Sequence, residues 1–125
     1  EEYGVSKYLE TATPNLFGNA FKSANPAEIQ NTIESGSDIS KEAMIQFVFA
    51  MRNRKAFTQL LQQNTIPVWM LAGDEDLAVP IQDSLEQIKL LPSTNSLVLK
   101  EVGHMGMLEA PNQVNQFIQQ FIKNA

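Results

Sequence analysis

The sequence predicts an α/β chain in two parts, a helical segment over residues 1–64 and a strand–helix–strand–helix unit over residues 65–125. Three observations predict it. Residues 66–72, Ile-Pro-Val-Trp-Met-Leu-Ala, are almost wholly apolar and lack polar alternation, which suits a strand covered on both faces, as parallel strands are. A second apolar run, Ser96-Leu97-Val98-Leu99-Lys100, follows after a helix-length amphipathic stretch. Residues 1–64 show helical spacing and no convincing strand.

Composition narrows the function. With 125 residues the chain makes one domain of ordinary size, and a hydrophobic fraction of 43% is enough for a core. A net charge of −5 argues against a nucleic-acid partner. The absence of cysteine removes a disulfide framework and a thiolate zinc site, and the single histidine removes a multi-histidine metal site. No apolar run reaches 18 residues, so no membrane span is expected, and no signal peptide is visible. The chain opens on Glu1 rather than Met, so the missing signal weighs little; the default expectation is a soluble, cytoplasmic protein.

Taken in order, Tyr3, Val5, Tyr8 and Leu9 predict a short first helix, broken by Thr13-Pro14-Asn15-Leu16-Phe17-Gly18. Asn25-Pro26 reads as an N-cap with proline in the first turn, opening a helix to Ser35 that Gly36 stops. Ser40 is the next N-cap, of a helix to Arg52 or Arg54. Its residues Ala43, Met44, Phe47, Val48, Ala50 and Met51 cover a broad face, the pattern of a helix buried on most of one side, and Phe47 and Phe49 are expected in the core. Arg52, Arg54 and Lys55 form a small basic cluster at its end, where cations complement the helix dipole; it reads as a solvated helix end, with an anionic-substrate site as the alternative. Phe57, Leu60 and Leu61 predict one more short helix.

The second part begins at Thr65. Pro67 sits at the start of the first strand, where a missing ladder donor costs least, and Gly73 ends that strand in a tight turn. Pro80 opens a helix over 81–91 with Ile81, Leu85 and Ile88 on one face. After the second strand, over 96–100, Gly103 lets the chain turn sharply and places His104 on a loop beside Asp76. A last helix over 113–122 carries Phe117, Ile118 and Phe121 as an apolar stripe. Open α/β sheets put their ligand sites at the carboxyl ends of the strands, where Asp76 and His104 both fall.

Two readings of these residues stand side by side. Asp74, Glu75 and Asp76 can all be solvated turn acids, since Asp favours turns. A lone histidine is more often a surface or structural residue than a catalytic one. Against that, a carboxylate accepting from Nδ1–H would fix the tautomer and stabilise the imidazolium that forms when the ring takes a proton. Glu109, at the start of the last helix, reads as a structural capping or pairing residue.

The pattern Gly73-x-x-Asp76-x-x-Val79-Pro80, then Gly103-His104, then Leu108-Glu109-x-Pro111 and an amphipathic helix resembles the C-terminal third of an α/β-hydrolase-fold enzyme. Upstream, Ala50-Met51-x-x-Arg54-x-x-Phe57-x-x-Leu60-Leu61 resembles the end of the helical cap in esterase-like members. The resemblance implies an α/β fold, with residues 1–64 as cap and 65–125 as the C-terminal α/β part. It implies Asp76 as the triad acid and His104 as the base, with no cofactor or metal. It also implies that Leu77 and Met105, beside them, line a pocket for a small ester or acyl substrate; ordinary packing under the cap is the alternative.

The sequence departs from the family at the nucleophile. A Gly-x-Ser-x-Gly elbow should lie upstream of Asp76, and none is found: Gly4-Val5-Ser6-Lys7-Tyr8 lacks the second glycine and a preceding strand. The oxyanion-hole loop is missing too. The expectation is therefore a C-terminal fragment of a serine hydrolase, inactive alone. An aspartate-nucleophile hydrolase of the dehalogenase or epoxide hydrolase type and an inactive interaction module are the alternatives. Because an apolar strand edge invites pairing, association with the N-terminal half of the same enzyme or with a second copy is expected.

Overall fold

The computed structural model describes residues 4–63, 65–92 and 95–124. Tyr3 and the boundary residue Asn64 lie outside the described residues. Five helices come first: α1 (Val5–Ala12), α2 (Asn19–Ala24), α3 (Pro26–Ser35), α4 (Lys41–Arg52) and α5 (Thr58–Gln63). Then follow β1 (Met70–Gly73), α6 (Ile81–Ile88), β2 (Ser96–Leu99), the single turn α7 (Gly106–Glu109) and α8 (Pro111–Asn124).

The strands pair in parallel, Met70 opposite Ser96 through Gly73 opposite Leu99. Among the described residues the ladder starts at Met70, later than the expected Ile66, which is 73% exposed. Helix α6 packs against β1, and Pro80 occupies its N-cap rather than its first turn; the helix ends at Ile88, short of the expected 91. Helix α8 meets the sheet through Trp69, whose ring lies 5.0 Å from Phe117 and 5.8 Å from Phe121, the stripe expected on that helix.

In the helical part, Ser40 caps α4 as expected, its Oγ accepting from the Ala43 N–H at 3.1 Å. Asn25 does not cap α3 with its side chain; its Nδ2 donates instead to the Phe21 carbonyl, so the side chain closes the preceding helix. The expected burial of α4 is corrected: none of its residues is buried, and Phe47 and Phe49 are 63% and 47% exposed. An apolar face predicts burial only if something covers it, and on α4 only Ala43 and Met44 are even half-buried. Helix α2 is an element the sequence reading missed. Residues 13–16 form a 3-10 turn, which leads into Phe17, a fully buried side chain stacked on Phe21 at 5.4 Å.

The buried apolar residues come from both parts: Phe17 and Ile29 from the helices, Ala72, Leu99 and Val102 from the sheet and the loop after it. Among the described residues no helix is long and apolar enough to cross a membrane.

Candidate active site

Two loops leave the carboxyl ends of β1 and β2 and cross. The ladder continues into them, with Asp74 N–H donating to Leu99 O at 3.0 Å and Glu75 N–H to Val102 O at 2.9 Å. The crossing is too close for a side chain at Gly73, where a Cβ would lie 2.2 Å from the carbonyl oxygens of both Val102 and Gly103. Glu101 takes a left-handed φ of 57°, which for a non-glycine residue costs about 1–2 kcal/mol. Its N–H is fixed by Asp74 Oδ1 at 2.6 Å. Lys100 Nζ stands 3.1 Å from Asp74 Oδ2 and holds the Asp74 carboxyl below the ordinary carboxylate range, chiefly by its hydrogen bond.

Asp76 and His104 meet across these loops. Asp76 Oδ1 accepts from the N–H groups of Ala78 and Val79, each at 2.8 Å, which locks the carboxylate against its own turn. Its Oδ2 lies 2.8 Å from His104 Nδ1. A carboxylate only accepts, so Nδ1 carries a proton, and in the neutral ring Nε2 is then left with its lone pair. The Asp76 side chain is 10% exposed and that of His104 43%, so the acid is screened while the ring remains open to solvent. This arrangement can take a proton at Nε2 and stabilise the resulting cation through Oδ2.

The helical part reaches the same spot. Leu16 O accepts from the main-chain N–H of His104 at 2.7 Å and of Met105 at 3.2 Å. Helix α2 has no side-chain cap of its own; Asn19 N–H donates to Glu75 Oε2 at 2.6 Å and Gly18 N–H to Glu109 Oε2 at 2.8 Å. Two carboxylates from distant loops thus satisfy amides that a helix start leaves open. Sequence reasoning read Glu109 as a capping or pairing residue but missed its partner Gly18 and the links of Leu16 and Asn19, since the partners of residues 16–19 lie far along the chain.

A groove of about 480 Å³ opens beside the ring, lined by Trp69, Leu71, His104, Met107, Phe117 and Phe121 among others. Leu77 and Met105 do not line it: Leu77 is 64% exposed on the Asp76 turn, and Met105 is half-buried at the N-cap of α7. Among the described residues no group of three or more metal-ligating side chains comes together.

Parallel strands joined through a helix, with an acid on the first loop bonded to a histidine on the second, are the C-terminal end of an α/β-hydrolase fold, and this chain has that fold. It superposes on a thermophilic esterase from Thermogutta terrifontis with a TM-score of 0.82 and 21% identity, over 94% of this chain and 43% of that one. It superposes on MGS-M2, an α/β hydrolase from a Medee basin deep-sea metagenome library, with a TM-score of 0.74 and 14% identity, over 95% and 48% of the two chains. For the CarC enzyme, a serine hydrolase involved in carbazole degradation, the TM-score is 0.71 at 17% identity, over 98% and 49%. In sequence the chain is 29% identical over 72 residues to homoserine O-acetyltransferase of Chlorobium chlorochromatii (strain CaD3), 57% of this chain and 20% of that protein. No family model matches the chain. The chain thus spans about a fifth of the curated relative and under half of each solved structure.

Proposed function

We propose that this chain supplies the acid, Asp76, and the base, His104, of a Ser-His-Asp centre that hydrolyses a small carboxylic ester, with the serine on a part of the fold outside these 125 residues. The observation that carries the reading is the 2.8 Å contact of His104 Nδ1 with Asp76 Oδ2 at the carboxyl edge of a parallel strand pair. His104 Nε2 takes the serine proton as its oxygen attacks the carbonyl carbon, and returns it to the leaving alcohol as the ester bond breaks. Water, deprotonated by the same nitrogen, then cleaves the acyl-serine and releases the acid. Asp76 holds the tautomer and the charge; backbone amides outside this chain hold the oxyanion. Residues 1–64 roof the site as a cap, and the apolar groove beside His104 takes the acyl or alcohol group.

A second reading is acyl transfer to a hydroxyl acceptor instead of water. The match to homoserine O-acetyltransferase favours it, and the same two residues serve both reactions.

By itself the chain turns over no ester above background, and its bare strand edge leads it to associate with the remainder of the fold or with a second copy. The test is an assay of the longest protein containing this chain with p-nitrophenyl acetate, with and without an alcohol acceptor. Acid release alone supports hydrolysis, and a new ester supports transfer. A His104→Ala variant that keeps its activity overturns both.

A further inference from the structure

Glu109 collects more main-chain donors than any other side chain near the Asp76–His104 pair. Its Oε2 accepts from Gly18 N–H at 2.8 Å and from Gly103 N–H at 3.1 Å. Its Oε1 accepts from Gly103 N–H at 3.0 Å and, at 3.2 Å, from the Met105 N–H that Leu16 O shares at the same distance. Gly103 and Met105 are the two chain neighbours of His104, and His104's own N–H is held by Leu16 O. Each amide of the histidine turn therefore has a fixed acceptor. Bonds to an ionised carboxylate are roughly twice as strong as neutral ones.

Local capping accounts for only part of this. Glu109 closes the short helix α7, and a glutamate reaching back to the N–H of the N-cap residue, here Met105, is a common helix-start device. It does not require a bond to Gly18, 91 residues away. The crossing has no slack either: a Cβ on Gly103 would lie 2.7 Å from Gly18 N and from Leu16 O. Gly18 and Gly103 are both buried, so neither amide finds water if the carboxylate is removed.

We propose that Glu109 is a positioning residue: by fixing the main chain on both sides of His104 it holds the imidazole at the Asp76 carboxylate. The catalytic part of this proposal rests on the reading of His104 as the base. Gln in place of Glu109 keeps one oxygen and puts an NH₂ group against a backbone N–H, so the turn loosens without loss of volume.

The test has two arms. By NMR on the 125-residue chain, the amides of Gly18, Gly103 and Met105 should exchange slowly as a set, and the His104 Nδ1–H proton should be visible at low field. In Glu109→Gln the Gly18 and Gly103 amides should exchange faster, Met105 less so because Leu16 O still accepts from it, and the Nδ1–H signal should broaden or vanish. In the active protein containing this chain, Glu109→Gln should lower kcat on the order of 100-fold with KM unchanged, the scale of a displaced catalytic group. Glu109→Ala should lower it further. A folded Gln variant with kcat and the Nδ1–H signal intact overturns the proposal. So does fast exchange of the three amides in the unmodified chain, which decides the matter even if no variant folds. Failure of the hydrolase reading is distinguishable, because it shows as activity that survives His104→Ala while the NMR arm still answers for Glu109.

Discussion

The carbonyl of Leu16 accepts the main-chain N–H of His104 at 2.7 Å, so a residue of the helical part sets the height of the histidine turn above the sheet. What keeps Leu16 there is its neighbour Phe17, fully buried and stacked on Phe21. Phe17→Ala should therefore cost about 3–5 kcal/mol, the range for emptying an aromatic core site. That is a large share of the stability of an ordinary domain. Urea denaturation of the two proteins measures it. A loss below about 1 kcal/mol, the average for any substitution, would mean that Phe17 does not anchor the segment.

Two glycines three residues apart should behave differently. A methyl at Gly103 meets only backbone, 2.7 Å from Gly18 N, Leu16 O and Phe17 C, and none of these can swing aside. Gly103→Ala should cost about 1–3 kcal/mol and displace His104. At Gly106 the nearest atoms are side-chain carbons of Leu99 and Leu71, at 3.3 and 3.4 Å, which can give way. Gly106→Ala should cost about 1 kcal/mol or less. Thermal melts of both variants make the comparison; equal losses would show that the crossing is looser than these distances say.

How legible this molecule is from its sequence depends on whether a signal is local. The turn acids and His104 follow glycines that end apolar strands, so their placement at one sheet edge could be read directly, and the structure puts them there. The cap of α4 by Ser40 was equally local, since donor and acceptor lie three residues apart. Helix α2 escaped notice because its N-terminal amides are satisfied by Glu75 and Glu109, far along the chain, and no residue of its own announces the start. The exposure of Phe47 and Phe49 escaped it for the converse reason. Periodicity reports that a face is apolar but is silent on whether a covering surface is at hand.

Asp76→Asn separates chemistry from folding. The Asn oxygen can still accept from Ala78 and Val79, so the turn should hold and the melting temperature should barely move. Its NH₂ group faces Nδ1, which forces the ring into the other tautomer and protonates Nε2. On the function proposed above, kcat of the protein containing this chain should fall about 10⁴-fold, as expected when a triad acid loses its charge but keeps its shape. An Asn variant within tenfold of the unsubstituted protein would remove Asp76 from the proposed mechanism.

Acid should loosen the loop crossing through Asp74. Its carboxyl is held below the ordinary carboxylate value, first by the hydrogen bond from Lys100. A depressed carboxyl contributes stability above its unfolded pKa, about 3.9, and loses it as pH falls through the lower folded value. Stability should therefore drop below about pH 4 in part through this group. The pair is surface-exposed, with the Lys100 side chain 83% accessible, so solvent and salt screen it and the effect is small. Comparing Asp74→Asn with the parent chain from pH 6 to pH 2 tests the assignment. Parallel curves for the two proteins, with no flattening of the acid limb in the variant, would rule Asp74 out.

The bond from Gly18 to Glu109 spans 91 residues, and this has a bearing on how the chain comes to be folded at all. Contacts so far apart in sequence close late, because the entropy of the intervening loop must be overcome before they form. On a ribosome adding about 5–20 residues each second, the amides of residues 18 and 19 wait several seconds for carboxylates that have not yet been made. Completing the chain does not cover the apolar face of α4, where Phe47, Phe49 and Met51 stay 63%, 47% and 65% exposed, so the wait concerns residues 16–19 alone. Residues 16–19 are thus unanchored until the histidine turn and α7 have been made, which leaves a holding chaperone an interval of seconds in which to act on them.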